Sequence, residues 1–397
     1  MNDLEKLIYE EAKNDFDYIV ALRRHFHMHP ELSRKEFNTA TRIDEELKKL
    51  GLSPKRVDET GVYAEIKGEK GVGKTIVLRA DMDALPITEE HICDWTSVEK
   101  GVMHACGHDV HTASLIGAAR LLVKNRDKFA GTIRLTFQQA EEIGYGGMQF
   151  VNGGYLDGAD RTFGLHTAPN VEVGKVVAMP GPNNASVDWF KITIHGLSAH
   201  VSTPEKGIDA IYIASQIVIN LQALITRRTS PMDNVLIGIG KVEAGTAYNI
   251  VADNATLEGT VRVFTVENRK FVKEQIENIC NSIAKSFGGT VDFEWKDFTS
   301  PLINEEKSTK EVEKVAKSLY GDKNVIVSRK PSLSGDDFAE FINRVPGSYA
   351  FVGSGNIDKP DTMVAQHNSH FDVDEDAILV AVVLYTAYAI EYLNGMV

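Results

Sequence analysis

The sequence is short of cysteine and of positive charge, and each shortage excludes a class of protein. Three cysteines in 397 residues cannot build a framework of disulfides, and their number fits a reducing compartment. Cys93 and Cys280 are interpreted as ordinary small residues. Acidic residues outnumber basic ones by 56 to 43, which gives a net charge of −13, and no block of lysine and arginine stands out. Nucleic acid is therefore not an expected partner.

Long apolar segments are also scarce. Residues 1–6 are acidic and lack the apolar centre of a signal peptide. No apolar run approaches the length of a membrane span, so no membrane partner is expected. A phosphate-binding loop is excluded as well, because residues 68–75 end in Gly-Lys-Thr but precede a strand, whereas such a loop follows a strand and opens a helix. These features together predict a cytoplasmic protein.

The length of the chain provides enough material for two domains. Alternating strand and helix patterns up to residue 180 predict an open α/β sheet. The pattern breaks around residues 179–182, and the chain then follows the β-α-β-β-α-β order of a ferredoxin-like unit. We therefore predict an α/β fold with an open mixed-sheet catalytic domain, residues 1–180 and 299–397. An inserted α+β ferredoxin-like domain, residues 181–298, is predicted to act as a lid or dimerisation module.

The stretch richest in side chains that can bind a metal or react is GVMHACGHDVHT, residues 101–112. Cys106 and His108 lie where a loop becomes a helix, and Gly107 lets the chain turn sharply between two side chains aimed at one point. A thiolate and an imidazole so close together favour Zn²⁺, with Mn²⁺, Co²⁺ or Ni²⁺ as alternatives. A buried structural cysteine beside hydrogen-bonded histidines explains the same residues equally well.

A second cluster, Glu141 and Glu142, favours the metal site. These residues follow an apolar strand, residues 132–137. Neighbouring strand residues point in opposite directions, but a bend at the strand end would let one carboxylate bind a metal while the other reaches a water. Metal-assisted hydrolysis needs both an ion that acidifies the water and a base that takes its proton. A solvated acidic loop is the alternative.

Asp81 and Asp83 alternate at the end of another predicted strand. In strand geometry they share a face, so both could enter one pocket. A carboxylate in such a pocket can orient a metal-bound histidine by accepting its free N–H. A surface turn without function explains the pair equally well.

Two patterns near the N-terminus predict structure rather than chemistry. The alternating histidines that precede Pro30 favour packing and hydrogen bonding at a helix junction over a metal site. Ser33 and Glu36 have the spacing of a capping box and predict that a helix starts there.

Together these motifs resemble those of the dinuclear-metal aminoacylases and carboxypeptidases. The resemblance is to the amidohydrolase branch, which includes hippurate hydrolases, auxin-conjugate hydrolases and N-acetyldiaminopimelate deacetylases. The motifs occur in the family's order over nearly the whole chain. They are His-x-His-Pro-Glu (27–31), Arg-Ala-Asp-Met-Asp-Ala-Leu-Pro (79–86), His-Ala-Cys-Gly-His-Asp-x-His-Thr (104–112), Ala-Glu-Glu (140–142), Gly-Leu-His (164–166), Ser-Gly-Asp-Asp-Phe (334–338) and a histidine near the C-terminus.

The resemblance implies a metal-dependent amidohydrolase that cleaves the amide of N-acyl amino acids or short peptides with a metal-activated water. It implies two divalent ions per subunit, Mn²⁺ or Zn²⁺ with Co²⁺ or Ni²⁺ as alternatives. It further implies Glu141 as the general base and Asp83 as a carboxylate behind the ligands. The implied metal ligands are Cys106, His108, Glu142, His166 and His367. His367 is chosen over His370 because its spacing to the following Phe-Asp matches the family.

In the inserted domain the resemblance implies three substrate contacts. His200 would steady the oxyanion, often across a dimer interface, while Asn249 and Arg262 would meet the substrate's carboxylate or scissile oxygen. A homodimer is therefore expected. Two alternatives are a catalytically inactive metal-binding relative and an aminopeptidase. The first conflicts with the presence of Glu141 and every ligand, and the second with Asn249 and Arg262, which suit a carboxylate.

Overall fold

The computed structural model describes all 397 residues, Met1–Val397. Its α-helices are α1 (Asp3–Met28), α2 (Phe37–Lys49), α3 (His108–Lys124), α4 (Gly146–Asn152), α5 (Ala210–Arg227), α6 (Val266–Ser286), α7 (Glu306–Tyr320), α8 (Phe338–Arg344) and α9 (Asp376–Leu393). Its strands are β1 (Lys55–Val57), β2 (Gly61–Lys67), β3 (Thr75–Asp81), β4 (Thr132–Gln138), β5 (Arg161–Glu172), β6 (Val176–Val177), β7 (Gly181–Asn184), β8 (Val187–His195), β9 (Leu236–Ala244), β10 (Asn254–Arg262), β11 (Thr290–Thr299), β12 (Leu302–Asn304), β13 (Val325–Ile326) and β14 (Gly347–Gly355). Short 3₁₀ turns occupy Arg126–Lys128, Pro204–Lys206, Asp322–Asn324 and Pro360–Met363.

The chain forms two compact units. The first contains residues 1–181, 303–330 and 336–397, and the second contains residues 182–302 and 331–335. The roles predicted for the two parts of the chain, catalysis in one and a lid or dimer contact in the other, stay predictions.

The first unit is built on an eight-stranded mixed sheet with the order β1-β2-β4-β3-β5-β14-β6-β13. Its centre is parallel, because β3 runs parallel to β4 and β5, and β5 to β14. Asp81, the last residue of β3, lies opposite Gln138, the last residue of β4. Arg79 lies opposite Gly164, so His166, two residues farther along β5, is level with Asp81. The carboxyl ends of β3 and β4 therefore lie level with His166 in the middle of β5. In open α/β sheets, sites form at the edge where strands end.

Helices cover both faces of this sheet. α3 and α9 are buried along almost their whole length and pack against each other and against α1. Phe163 of β5 packs edge-on against Tyr385 and Tyr388 of α9. The next residue, Gly164, approaches Phe338 of α8. Because neighbouring strand residues point to opposite faces, α8 covers the face opposite to α9. Burial on both faces explains why the central strands are apolar throughout.

The second unit is a four-stranded antiparallel sheet with the order β11-β8-β10-β9. Alternate residues of β8 are buried, and they pack against α5 and α6 in one apolar core. Asp209 caps α5 and Thr265 caps α6 through hydrogen bonds to the first free N–H groups. The order of elements is the β-α-β-β-α-β arrangement predicted from the sequence, with β9 and β11 as edge strands.

The predicted capping box at Ser33 and Glu36 is wrong. α2 begins at Phe37, and Glu36, its N-cap residue, makes no side-chain hydrogen bond to the helix. Ser33 Oγ instead donates to Asp83 Oδ2 at 2.7 Å, and Glu36 Oε1 accepts from the N–H of Ala140 at 2.8 Å. Both side chains therefore form hydrogen bonds to the segments that follow β3 and β4. Tertiary partners outcompete the local cap that the spacing suggests.

The expectation that no apolar run approaches the length of a membrane span is also wrong. Two helices, α5 and α9, are long and apolar enough to cross a membrane by length and composition alone. α9 meets that test as a core helix, since 89% of it is buried inside the protein. α5 is 33% buried and packs against the sheet of the second unit. One or two such helices are weak support for a membrane protein.

Candidate metal centre

Five side chains named as ligands from the resemblance converge in the first unit. Cys106 and His108 lie at the start of α3, His166 lies in β5, Glu142 follows β4, and His367 lies in the loop before α9. Cys106 Sγ is 3.4 Å from His166 Nε2, and His367 Nε2 is 3.4 Å from Glu142 Oε2. Within one group, Cys106, His108 and His166 place their donor atoms within 4.8 Å of one another, and within a second group Cys106, Glu142 and His367 do the same. Cys106 thus belongs to both groups.

The free lone pairs of these side chains point into the cluster. His108 Nδ1 lies 2.9 Å from the carbonyl oxygen of Asp83, which fixes the proton on that nitrogen and leaves Nε2 as the lone pair. His166 Nδ1 likewise lies 2.8 Å from the carbonyl oxygen of Thr167. His108 Nε2 and Glu142 Oε1 are buried without a hydrogen-bond partner. A thiol, imidazoles and a carboxylate converging in this way fit two divalent first-row ions.

Negative charge dominates the same cluster. Burial and the nearby Glu142 raise the pKa of the Cys106 thiol well above its usual range. Burial and neighbouring carboxylates do the same to the pKa of Glu141. Burial lowers the pKa of His108, but Asp81 and the carboxylates around it outweigh burial and raise it to about 10. Divalent cations would replace the protons that these groups hold, so metal binding and proton release are linked.

A sharp turn after β4 brings two adjacent carboxylates to the same side. β4 ends at Gln138, and Ala140 has a φ of +54°, in the left-handed region. The N–H groups of Glu141 and Glu142 both donate to the carboxylate of Asp83 at 3.1 Å. One oxygen of each glutamate then lies 3.9 Å from His108 Nε2. The bend proposed from the sequence is therefore present, while the division into base and ligand stays a prediction.

Asp81 and Asp83 both reach His108, although only Asp81 belongs to the strand. Asp83 approaches Nδ1 through its carbonyl oxygen at 2.9 Å and its Oδ1 at 3.3 Å. Asp81 Oδ2 lies 3.8 Å from Nε2, and its Oδ1 lies 2.6 Å from His111 Nδ1. The spacing alone left two interpretations of this pair open. Their buried position beside His108 agrees with a shared pocket and disagrees with a surface turn.

Arg79 is a buried site residue that the sequence patterns leave without a role. Its guanidinium lies 2.5 Å from Asp81, 3.3 Å from Asp336 and 3.1 Å from Asp337. Gln138 Oε1 accepts a further hydrogen bond at 2.9 Å. Arg79 and Asp337 each lie in a motif that resembles the family's, 79–86 and 334–338, and this is the signal in the sequence that could have marked them. Because they are 258 positions apart, no local spacing indicates that they pair.

The N-terminal histidines do not join the metal cluster. His27 is buried, with Nδ1 2.8 Å from Asp109 and Nε2 3.0 Å from Glu89. The His25 ring lies 5.0 Å from that of His29, centroid to centroid. Packing and hydrogen bonding at the end of α1, as predicted, are confirmed for these residues.

The three predicted substrate contacts lie in the second unit, and only two are neighbours. His200 is exposed, and its Nδ1 accepts from the N–H of Ser202 at 3.1 Å and lies 2.7 Å from Ser202 Oγ. The carbonyl of Asn249 accepts from the N–H of Val201 at 3.1 Å, so both loops lie side by side at the end where β8 finishes and β10 begins. Arg262 is the last residue of β10, at the opposite end of this nine-residue strand. At about 3.3 Å per residue, that strand is roughly 26 Å long.

Comparison with known proteins agrees with this geometry. Residues 77–391 match the family described as Peptidase family M20/M25/M40. An N-acetyl-L-cysteine deacetylase of Bacillus subtilis is 40% identical over 91% of this chain and 85% of its own length. Thermostable carboxypeptidase 1 of Saccharolobus solfataricus is 37% identical over 98% of this chain and 99% of its own. A crystal structure from Bacillus subtilis, described as a dinuclear metal-binding peptidase of the M20 family, superposes with a TM-score of 0.84 at 35% identity, covering 96% and 99% of the two chains.

Replacing Glu141 by Gln should abolish amide hydrolysis and leave the bound metal unchanged. The amide has nearly the same shape but cannot take a proton, and losing a general base costs about a hundredfold or more in kcat. Metal content by mass spectrometry and kcat are measured on one preparation. Glu142→Gln is the matched control and should lose metal. Loss of both ions from Glu141→Gln would show that the two roles are assigned the wrong way round.

Cys106 should react with thiol reagents slowly in the metal-loaded protein and faster after chelation. Ligation by a cation shields the sulfur, and removal of the cation exposes it. The reaction is followed by mass spectrometry, with half-exposed Cys93 as the internal control whose rate should not depend on metal. Equal rates at Cys106 with and without metal would count against ligation.

Proposed function

The chain belongs to Peptidase family M20/M25/M40 and is a metal-dependent amidohydrolase, and we propose that its substrates are N-acyl amino acids, with short peptides as the second class. The observation that carries this proposal is one cluster in which Cys106 is shared by two sets of donors while Glu141 faces the same point. The names of the two relatives, a deacetylase acting on an N-acetyl amino acid and a carboxypeptidase, support both classes.

Two divalent ions, Mn²⁺ or Zn²⁺ with Co²⁺ or Ni²⁺ as alternatives, are proposed as the cofactors. Bound ions of this kind polarise a carbonyl and lower the pKa of water. Their proposed ligands are Cys106, His108, Glu142, His166 and His367. Asp83 is proposed to orient the ligands without binding the ions itself. Its carbonyl oxygen fixes the tautomer of His108, and its carboxylate accepts from the backbone N–H groups of Glu141 and Glu142.

Glu141 is proposed to move the proton. Its carboxylate is almost fully buried, and burial with neighbouring carboxylates raises its pKa well above the usual range. A carboxylate whose pKa is raised is a stronger proton acceptor, so Glu141 would take a proton from the attacking water at one oxygen and release it to the leaving amine. The N–H of Glu141 donates to Asp83, and this bond holds the backbone from which the carboxylate extends.

His200, Asn249 and Arg262 are proposed as substrate contacts, with the first two acting across a homodimer. An N-acyl amino acid is much shorter than the strand whose two ends carry Arg262 and the His200–Asn249 loops. A single copy of the second unit therefore cannot place all three on one substrate. A second copy can supply the missing end, and a twofold pair would do so for both sites.

The second unit has a surface suited to such pairing. β9 is an edge strand with unpaired backbone groups, and Val242 on it is 58% exposed. Neighbouring α5 exposes Ile211, Tyr212 and Ile219. An edge strand beside exposed apolar residues on a helix is a common basis for a closed twofold interface.

A reducing, cytoplasmic location remains our proposal, supported by three cysteines that form no disulfide.

A screen of substrates tests the proposed class. N-acetyl and N-benzoyl amino acids should be cleaved in the presence of added Mn²⁺ or Zn²⁺, and amidated analogues without the free carboxylate should be cleaved far more slowly because Arg262 and Asn249 lose their partner. Cleavage is measured by release of the free amine, with Glu141→Gln as the blank. Preference for peptides with a free α-amine and a blocked carboxylate would favour an aminopeptidase. No turnover of any amide by protein shown to hold two ions would favour an inactive relative.

Mixing two inactive variants tests the shared site. His200→Ala and Glu141→Gln subunits should each be inactive, and after subunit exchange they should recover activity. With equal amounts, about a quarter of the wild-type activity is expected, since half the dimers are mixed and each has one complete site. His200→Ala mixed with the double variant His200→Ala/Glu141→Gln is the control and should stay inactive. Confirmed exchange without recovery would mean that His200 serves its own chain.

A further inference from the structure

Ala140, the residue directly before the proposed base, has an unusual backbone conformation. Its φ of +54° lies in the left-handed region, which residues with a side chain avoid because Cβ approaches the backbone. Only four non-glycine residues of the chain have a positive φ, and besides Ala140 they include the proposed ligand His367. Such a conformation persists only when its surroundings hold it in place.

Glu36 is what holds Ala140. Its Oε1 accepts from the N–H of Ala140 at 2.8 Å, and its Oε2 accepts from Thr60 Oγ at 2.8 Å. The glutamate side chain is fully buried. A buried carboxylate must be satisfied by hydrogen bonds, and both oxygens of Glu36 are.

The bond to Ala140 is the first of three in a row. The next two N–H groups, those of Glu141 and Glu142, donate to the carboxylate of Asp83. Two buried carboxylates from distant parts of the chain therefore hold three consecutive amides. On the other side of the turn, the carbonyl of Ala140 accepts from the N–H of Tyr145 at 3.1 Å. The backbone of Glu141 and Glu142 is thus fixed by Glu36 and Asp83 in addition to the local bond from Tyr145.

We propose that Glu36 is a positioning residue that sets the direction of Glu141 and Glu142 by holding the left-handed turn at Ala140. This inference rests on the proposed roles of the two glutamates. Glu36 itself touches neither the ligand atoms nor the reacting groups. It acts through the backbone of Ala140. The spacing of Ser33 and Glu36 instead predicts a helix cap, so the sequence pattern does not indicate this positioning role.

A purely structural role as the N-cap of α2 does not explain the arrangement. Glu36 makes no side-chain hydrogen bond to that helix. Burial, reinforced by the neighbouring Asp83, raises the pKa of Glu36 to about 7, so a neutral side chain with an acceptor oxygen suits the same pocket. Gln is therefore the conservative replacement, and Leu removes the acceptor at similar volume.

The test is a double-mutant cycle between positions 36 and 140. Glu36→Leu should lower kcat for amide hydrolysis by about tenfold to a hundredfold, the cost of a slightly misplaced catalytic group, with little change in KM. Glu36→Gln should stay close to wild type. Glycine adopts a positive φ without strain, so Ala140→Gly should be nearly neutral alone and should restore a large part of the kcat lost in Glu36→Leu. If Glu36→Leu does not fold, Glu36→Asp, whose shorter side chain withdraws the oxygen, takes its place.

Thr60→Val is the matched control, because it removes the other hydrogen bond of Glu36 and leaves the one to Ala140. It should lower the unfolding temperature without the kcat loss, and Ala140→Gly should not compensate it. An additive double variant, or a Gln variant as slow as Leu, would overturn the proposal.

Hydrogen exchange provides a readout that does not depend on the enzyme's activity. In the full-length protein, with and without divalent ions, Glu36→Leu should speed amide exchange in a peptide spanning residues 138–144, and Glu36→Gln should not. Unchanged exchange in Glu36→Leu would overturn the positioning role even if the enzyme were active. Faster exchange without any hydrolytic activity in the wild type would leave the role of Glu36 in place and overturn the proposed function instead.

Discussion

Negative charge gathered where the parallel strands β3 and β4 end is the constraint on which the site depends. At an effective dielectric constant of 20, two carboxylates about 4 Å apart repel each other by about 4 kcal/mol. Arg79 supplies one buried positive charge to Asp81 and the Asp336–Asp337 pair. Removing it would leave buried charges unpaired, which costs about 3–5 kcal/mol. One arginine cannot also neutralise the two glutamates and the thiol beside it, and a pair of divalent cations can.

The same residues give the site its rigidity, because Asp81 and Asp83 each contact two neighbours. Asp83 fixes the tautomer of His108 with its carbonyl oxygen and holds the glutamate amides with its carboxylate. Asp81 accepts from Arg79 on one oxygen and faces His111 with the other. Hydrogen bonds to charged groups contribute about 1.5–3 kcal/mol each, so the buried carboxylates that polarise the site also support it. Substrate recognition is proposed to lie elsewhere, in the His200 and Asn249 loops and at Arg262 of the second unit.

The periodicity of apolar residues is sufficient to predict most helices and strands. The order of the motifs is sufficient to propose most of the metal ligands. The strand predicted at residues 132–137 is observed as Thr132–Gln138, and the break near residue 180 lies beside Gly181, where the first segment of the first unit ends. Long-range pairing is what local patterns miss. Arg79 meets Asp337 from 258 positions away, and the Ser33–Glu36 spacing suggests a cap because nothing nearby reveals that Ala140 needs a partner. The apolar pattern of α9 likewise cannot tell a buried core helix from a membrane span.

One cluster, formed by Cys106 with His108, His166, Glu142 and His367, is proposed to bind two divalent ions. Crystals of the metal-loaded protein, with anomalous diffraction recorded on either side of the absorption edge of the added metal, test it most directly. We expect two peaks per chain, one beside His108 and His166 and one beside Glu142 and His367, with Cys106 next to both. A single peak, or a peak among Asp81, His108 and His111 instead, would contradict it.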